Sequence, residues 1–152
     1  MHEQSWSTRG DTVDIALVRD IDEITLREVR RLVRDLLDGR DGVAVEDAVQ
    51  VTDELVGNAR RHGTPPRTCR LLLIDQGRRL RIEVDDTSVG QPRIRRPDTS
   101  GGRGMIIVGA LATAWGVVRH PDHKTVWAEL ELDRPNGRSP HLAAAPNRDN
   151  RE

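Results

Sequence analysis

Three side chains at four-residue spacing carry the first chemical signal in the chain. Glu54, Asn58 and His62 lie within VTDELVGNARRHG, residues 51–63. At about 100° of rotation per residue, side chains four apart stack one turn above the next on a helix. A carboxylate, a carboxamide and an imidazole in such a row can serve as a base and as ligands for a metal ion. On the other side, Val45, Ala48, Val49, Thr52, Leu55, Val56 and Ala59 form a broad apolar stripe of the kind a helix buries. Taken alone, the row is also what an ordinary solvated helix face presents, because polar faces outnumber active sites.

Two further stretches bear on the same question. Asp85-Asp86-Thr87-Ser88-Val89-Gly90 closes an alternating apolar run. A carboxylate at a strand end can accept a hydrogen bond from an amine such as the adenine amino group. A following glycine lets backbone come close to a flat ligand. The same residues suit an acidic turn with Asx hydrogen bonds. Gly101-Gly102-Arg103-Gly104 precedes an apolar segment. Backbone amides at a helix start, free of side chains, can cradle phosphate; the same cluster suits a hinge. It lacks the Gly-Lys-Ser/Thr ending of a Walker A loop, and a long loop rather than a strand precedes it, which excludes the dinucleotide fingerprint.

The elements that must position these residues follow from periodicity. Residues 1–10 read as a loose leader and 12–18 as a strand. Asp20 or Asp22 can cap a helix running to about Leu37, with Ile24, Val29, Leu32, Val33 and Leu36 as its stripe. A turn at 38–42 leads to the central helix, which starts near 43–46 and stops at Gly63. Strands at 68–75 and 80–85 form a hairpin. Residues 88–101, rich in Gly, Pro and Arg, read as a mobile loop. A helix at 105–113 and strands at 115–119 and 124–132 complete the pattern, with Val126, Ala128, Leu130 and Leu132 on one face and Trp127 on the other. Residues 133–152 show no period and read as a disordered tail. The expected fold is an α/β two-layer sandwich, a mixed five-stranded sheet with three helices on one face, spanning residues 11–132. A doubly wound fold is disfavoured because strands and helices do not alternate.

Composition narrows the function classes. A chain of 152 residues suits one domain. Its 24 basic and 25 acidic residues leave a net charge of −1, which gives no general pull toward nucleic acid or an anionic membrane. With no Phe or Tyr and three Trp, a stacking platform for single-stranded nucleic acid is disfavoured. The lone cysteine, Cys69, cannot form an intrachain disulfide and reads as a small core residue. No apolar run approaches the ~18 residues of a membrane span, and the N-terminus lacks the apolar segment of a signal peptide. A soluble cytoplasmic protein is expected.

In their order and spacing these stretches resemble the GHKL superfamily, the ATP-binding domain of gyrase, heat-shock chaperones and histidine kinases. Among its members the chain is most similar to the small stand-alone anti-sigma factors of the serine-kinase type. ELVGNARRHG (54–63) resembles the N box, DDTSVG (85–90) the first glycine box, GGRGMIIV (101–108) the second, and KTVWAEL (124–130) the closing strand. The resemblance implies a Bergerat-type fold that binds ATP and Mg²⁺. It casts Glu54 as the general base that orients an attacking hydroxyl, and Asn58 as the Mg²⁺ ligand. Asp86 would take the adenine amino group, with Ser88 and Gly90 close to the base. Gly102 and Gly104 would lie by the phosphates, and residues 91–101 would form a lid. Thr125 would complete the adenine pocket through its hydroxyl and a water. His62 is expected to be a structural helix-end group, and Arg93, Arg95 and Arg96 could reach the γ-phosphate. In two places the chain departs from the pattern. Ser88 stands where the superfamily has Gly, and Asp85 stands beside Asp86, although the distance to Gly90 favours Asp86.

The resemblance implies an anti-sigma factor that binds a sigma factor and phosphorylates an antagonist of the STAS type on Ser or Thr. Its small relatives typically dimerise; no nucleic-acid or membrane partner is expected. The alternative is a non-catalytic module of the same fold that sequesters a partner. The presence of both Glu54 and Asn58 favours the enzyme. A histidine kinase is disfavoured because no helix pair bearing a phosphoacceptor His precedes the domain. A gyrase or chaperone is disfavoured because no transducer domain follows.

Overall fold

Among the described residues, alternating apolar residues build five strands, and residues of helical period build three helices. The computed structural model describes residues 12–88 and 102–132. The elements follow as β1 (Val13–Asp20), α1 (Leu26–Leu36), α2 (Gly42–His62), β2 (Thr68–Ile74), β3 (Arg79–Asp86), α3 (Gly102–Leu111), β4 (Ala114–Arg119) and β5 (Lys124–Glu131). The α/β sandwich expected from the sequence is the fold observed. The expected leader, most of the loop at 88–101 and the tail at 133–152 lie outside the described residues.

The sheet order is β1-β2-β3-β5-β4. Every pairing is antiparallel, which corrects the expectation of a mixed sheet. The reason lies in the crossover through α3. It makes β3 and β4 run in the same direction, but β5 lies between them and pairs antiparallel with both. No parallel ladder can then form.

Helix α2 is the centre of the helical layer, packing on α1, α3, β3 and β5. Its Ala48, Val51, Leu55 and Val56 are buried in one core with Leu71 and Leu73 of β2, Leu80, Ile82 and Val84 of β3, and Val126, Ala128 and Leu130 of β5. Strand alternation puts these sheet residues on the helix-facing side. The opposite side carries Arg70 and Leu72 from β2, Arg81, Glu83 and Asp85 from β3, and Thr125, Trp127 and Glu129 from β5. Among the described residues no helix is long and apolar enough to cross a membrane.

Helix α1 begins later than the aspartates suggest. Its N-cap is Thr25, whose hydroxyl accepts from the Glu28 amide at 3.1 Å while Glu28 Oε1 accepts from the Thr25 amide at 2.8 Å. This capping box satisfies two helix-end donors reciprocally. Asp20 and Asp22 are engaged elsewhere, Asp20 with the Asp22 amide at 2.9 Å and Asp22 with Arg67 at 2.6 Å. Helix α2 is capped by Asp41, which accepts from the Ala44 amide at 3.1 Å, and ends at Gly63.

Candidate functional site

A cleft opens where the C-terminal half of α2 meets the end of β3 and the start of β5. Leu55 and Ala59 of α2, with Val84 and Val126 of the sheet, give it an apolar floor. Asn58, His62, Asp86 and Lys124 supply its polar groups, and Gly63 lies at one end.

Sheet register decides which strand residues enter it. Asp86 pairs with Lys124, and Asp85 with Thr125. Successive side chains point to opposite faces. Asp86 and Lys124 therefore share the helix-facing side with Val84 and Val126, while Asp85 and Thr125 share the other. Consecutive aspartates thus have separate surroundings.

Asp86 is 2% exposed. Its Oδ1 accepts from the Ser88 amide at 2.8 Å and from the Ser88 hydroxyl at 2.6 Å. Its Oδ2 faces Lys124 Nζ at 3.8 Å. The end of α2 presses on the same carboxylate: a Cβ at Gly63 would lie 2.6 Å from Asp86 Cγ and 2.7 Å from the Ala59 carbonyl. Only glycine permits that approach. The Thr87 amide donates to the Thr64 carbonyl at 3.0 Å, and the Thr87 hydroxyl to the Pro65 carbonyl at 2.8 Å. These bonds hold the end of β3 against the loop that leaves α2. Arg67 donates to the Ala59 and Gly63 carbonyls at 3.0 and 3.1 Å, capping the helix end with a cation.

Asn58 and His62 line the cleft. Glu54, one turn earlier and partly exposed, stands beyond the lining residues on the same helix. Among the described residues no group of three or more His, Cys, Asp or Glu could hold a metal ion. The Asn58 carboxamide is an oxygen donor suited to a hard cation that takes its remaining ligands from phosphate and water.

Asp85 receives both Arg70 Nη atoms at 2.9 Å and the Thr125 hydroxyl at 2.6 Å. Thr125 also contacts His120 Nε2 at 3.2 Å. Thr125 was expected to complete the pocket; the structure places its hydroxyl with Asp85 and His120 on the opposite face of the sheet. Lys124 was missed in its place. Counting back two residues from Val126 along the apolar face of β5 reaches Lys124, so strand alternation could have found it. Ser88 acts on the carboxylate of Asp86 rather than as a cleft wall. Gly102 and Gly104 lie in the first turn of α3. Gly90, the lid residues 91–101 and Arg93, Arg95 and Arg96 lie outside the described residues.

Two titratable groups outside the cleft have clear surroundings. Burial pushes the Cys69 thiol up to about 12, which keeps it protonated and inert as a nucleophile. Burial, and then the stacked His123 ring with its centroid 4.1 Å away, holds His120 below the ordinary imidazole value.

The arrangement joins an apolar floor, a buried carboxylate whose Oδ2 stands 3.8 Å from Lys124 Nζ, and an amide and an imidazole on the helix wall. Such a carboxylate is an acceptor for a ligand's amino group. A family model for the histidine kinase-like ATPase domain matches residues 21–130. No curated protein matches the chain.

Proposed function

The chain belongs to the histidine kinase-like ATPase domain family, and on that premise we propose that it binds ATP with Mg²⁺ and acts as an anti-sigma regulator. In this reading it phosphorylates an antagonist of the STAS type on Ser or Thr and, when not so engaged, holds a sigma factor. A cytoplasmic location goes with that role, as does assembly into a homodimer.

The observation that carries the reading is Asp86, a buried residue in the lining of the cleft, with Oδ1 taken by two Ser88 donors and Oδ2 3.8 Å from Lys124 Nζ. A carboxylate oxygen so placed accepts from the amino group of adenine. Asn58 would hold Mg²⁺, which when bound neutralises charge on the phosphates. Glu54 would take the proton of the attacking hydroxyl and orient it, the part a general base plays in such transfers. The second reading, a non-catalytic module that sequesters a partner, draws support from Ser88 standing where the superfamily has Gly.

Calorimetric titration with ATP and Mg²⁺ tests the reading. Saturable binding is expected, with a rise in melting temperature by mass action. Asp86→Asn should abolish both, because the amide presents a donor where the base also presents one. Absence of heat and of stabilisation at millimolar ATP would sink the ATP-binding reading.

A further inference from the structure

We propose that Lys124 is the second half of a base-reading pair. Asp86 Oδ2 accepts the amino proton of the purine, and the Lys124 ammonium donates to the adjacent ring nitrogen. This rests on the ATP-binding reading and extends it to a residue and to a specificity.

Register places the two groups side by side: Asp86 and Lys124 are the last paired residues of the β3–β5 ladder, on the helix-facing side. Their charged atoms are 3.8 Å apart. That is beyond hydrogen-bond length, so neither captures the other. The acceptor keeps lone pairs, and the donor keeps protons, for a ligand between them. Asp86 Oδ1 is already used by two Ser88 donors, which leaves Oδ2 for the base. The side chain of Lys124 is 26% exposed and that of Asp86 3%, so the ammonium sits at the rim and the carboxylate beneath it.

Adenine offers a matching edge. Its exocyclic amine is a donor, and the neighbouring ring nitrogen N1 is an acceptor one bonded carbon away. A donor for that nitrogen must stand next to Oδ2. Asn58 and His62 line the cleft from α2. The Thr125 hydroxyl is held by Asp85 and His120 on the other face. Lys124 is a cleft-lining donor whose Nζ stands 3.8 Å from Oδ2. A hypoxanthine edge reverses the order, with a carbonyl facing the carboxylate and an N–H facing the ammonium, and both contacts become repulsive.

The test is calorimetry with ATP and with 1-deaza-ATP, in which a C–H replaces N1. Wild-type protein, Lys124→Met and Lys124→Arg are compared. A hydrogen bond from a charged donor is worth roughly tenfold to a hundredfold in affinity. Wild type should prefer ATP over the deaza analogue by about that factor. Lys124→Met should weaken ATP binding by a similar factor and bind both nucleotides equally. Lys124→Arg, which keeps the charge and the donors, should recover part of the preference and report that the fold is intact. A Lys124→Met protein that binds ATP as tightly as wild type, or more tightly, would overturn the proposal; tighter binding would make Lys124 a competitor for Oδ2. The same holds if wild type fails to distinguish the two nucleotides. Failure of wild type to bind ATP at all would instead remove the ATP-binding reading, and this pair with it.

Discussion

On the sheet face turned away from the helices, the charged groups answer one another. Glu83 takes Arg70 on one oxygen at 2.7 Å and Arg81 on the other at 2.6 Å. Glu129 takes Arg79 at 3.0 Å and Arg81 at 2.8 Å. The Arg81 guanidinium also lies 4.2 Å over the Trp127 ring, a cation–π arrangement. At the edge of the helix-facing side, Asp86, Lys124, Asn58 and His62 gather round a cleft, and the Asp86–Lys124 ion pair is held at 3.8 Å. The two regions use the same residue types. Both glutamates are buried with every oxygen matched to a guanidinium, which is the condition under which a buried ion pair is tolerated. The cleft groups keep capacity for a partner. Asp85 and Asp86 show the contrast in two consecutive residues, the first taken up by Arg70 and Thr125, the second in the lining of the cleft. Side-chain identity alone therefore does not separate structure from function; the degree of hydrogen-bond satisfaction does.

If that division holds, substitutions in the two regions should separate cleanly. The largest effect is expected at Glu54. Glu54→Ala should lower phosphoryl transfer from labelled ATP to a STAS-domain partner by about 10²–10⁴-fold, the usual contribution of a general base. Stability should move by less than about 0.5 kcal/mol, as for an ordinary surface change. Transfer at the wild-type rate would remove Glu54 from the chemistry.

Glu83→Ala should do the reverse. It leaves Arg70 and Arg81 without a carboxylate that they share. Breaking a buried pair from one side is destabilising by about 3 kcal/mol. Urea denaturation should show a lower midpoint at unchanged slope, while ATP affinity stays at the wild-type value. A midpoint equal to that of wild type would mean that the ladder contributes little, and the contrast between faces would lose its energetic half.

Gly63→Ala should touch both readouts, because the new Cβ would meet the Asp86 carboxylate on one side and the Ala59 carbonyl on the other. Overpacking of this kind costs about 1–3 kcal/mol. The carboxylate must shift to relieve it, so nucleotide affinity should fall as well. A loss of stability with unchanged affinity would show that the carboxylate position is not critical to the site.

The elements of this fold were legible because their signals are local. A period of two or of 3.6 residues survives in any short window, and the turn residues punctuate it. The start of α1 was misread although its own signal was present: Thr25 and Glu28 form a capping box, but Asp20 and Asp22 are equally good caps by residue type. The antiparallel sheet was not legible, since it depends on β5 entering between β3 and β4, a non-local choice. In the site, Asn58 and Asp86 were named through the resemblance to the N box and the first glycine box, and the structure puts both in the lining of the cleft. Thr125 was assigned by residue type within a matched strand rather than by the face on which it falls. The alternation of Val126, Ala128 and Leu130 carried the information that would have selected Lys124.

The smallest effect is expected at Thr125, and it bears most directly on the division between faces. Its hydroxyl donates to Asp85 Oδ1 at 2.6 Å, and Asp85 also holds the two Arg70 contacts at 2.9 Å. Thr125→Val keeps the shape and the β-branching that suit a strand, and removes only the hydroxyl. Asp85 stays paired through Arg70, so no buried charge is orphaned, and the loss should be about 1 kcal/mol, the net worth of one hydrogen bond. Nucleotide binding should be unchanged, because the side chain lies across the sheet from the cleft. Lys124→Met, one residue earlier, should weaken ATP binding. Denaturation midpoints and ATP titrations of the two variants side by side read the register of β3 against β5 as function. If Thr125→Val weakened ATP binding as Asp86→Asn is expected to, the hydroxyl would have to act through the sheet, and the assignment of these neighbours to opposite roles would be wrong.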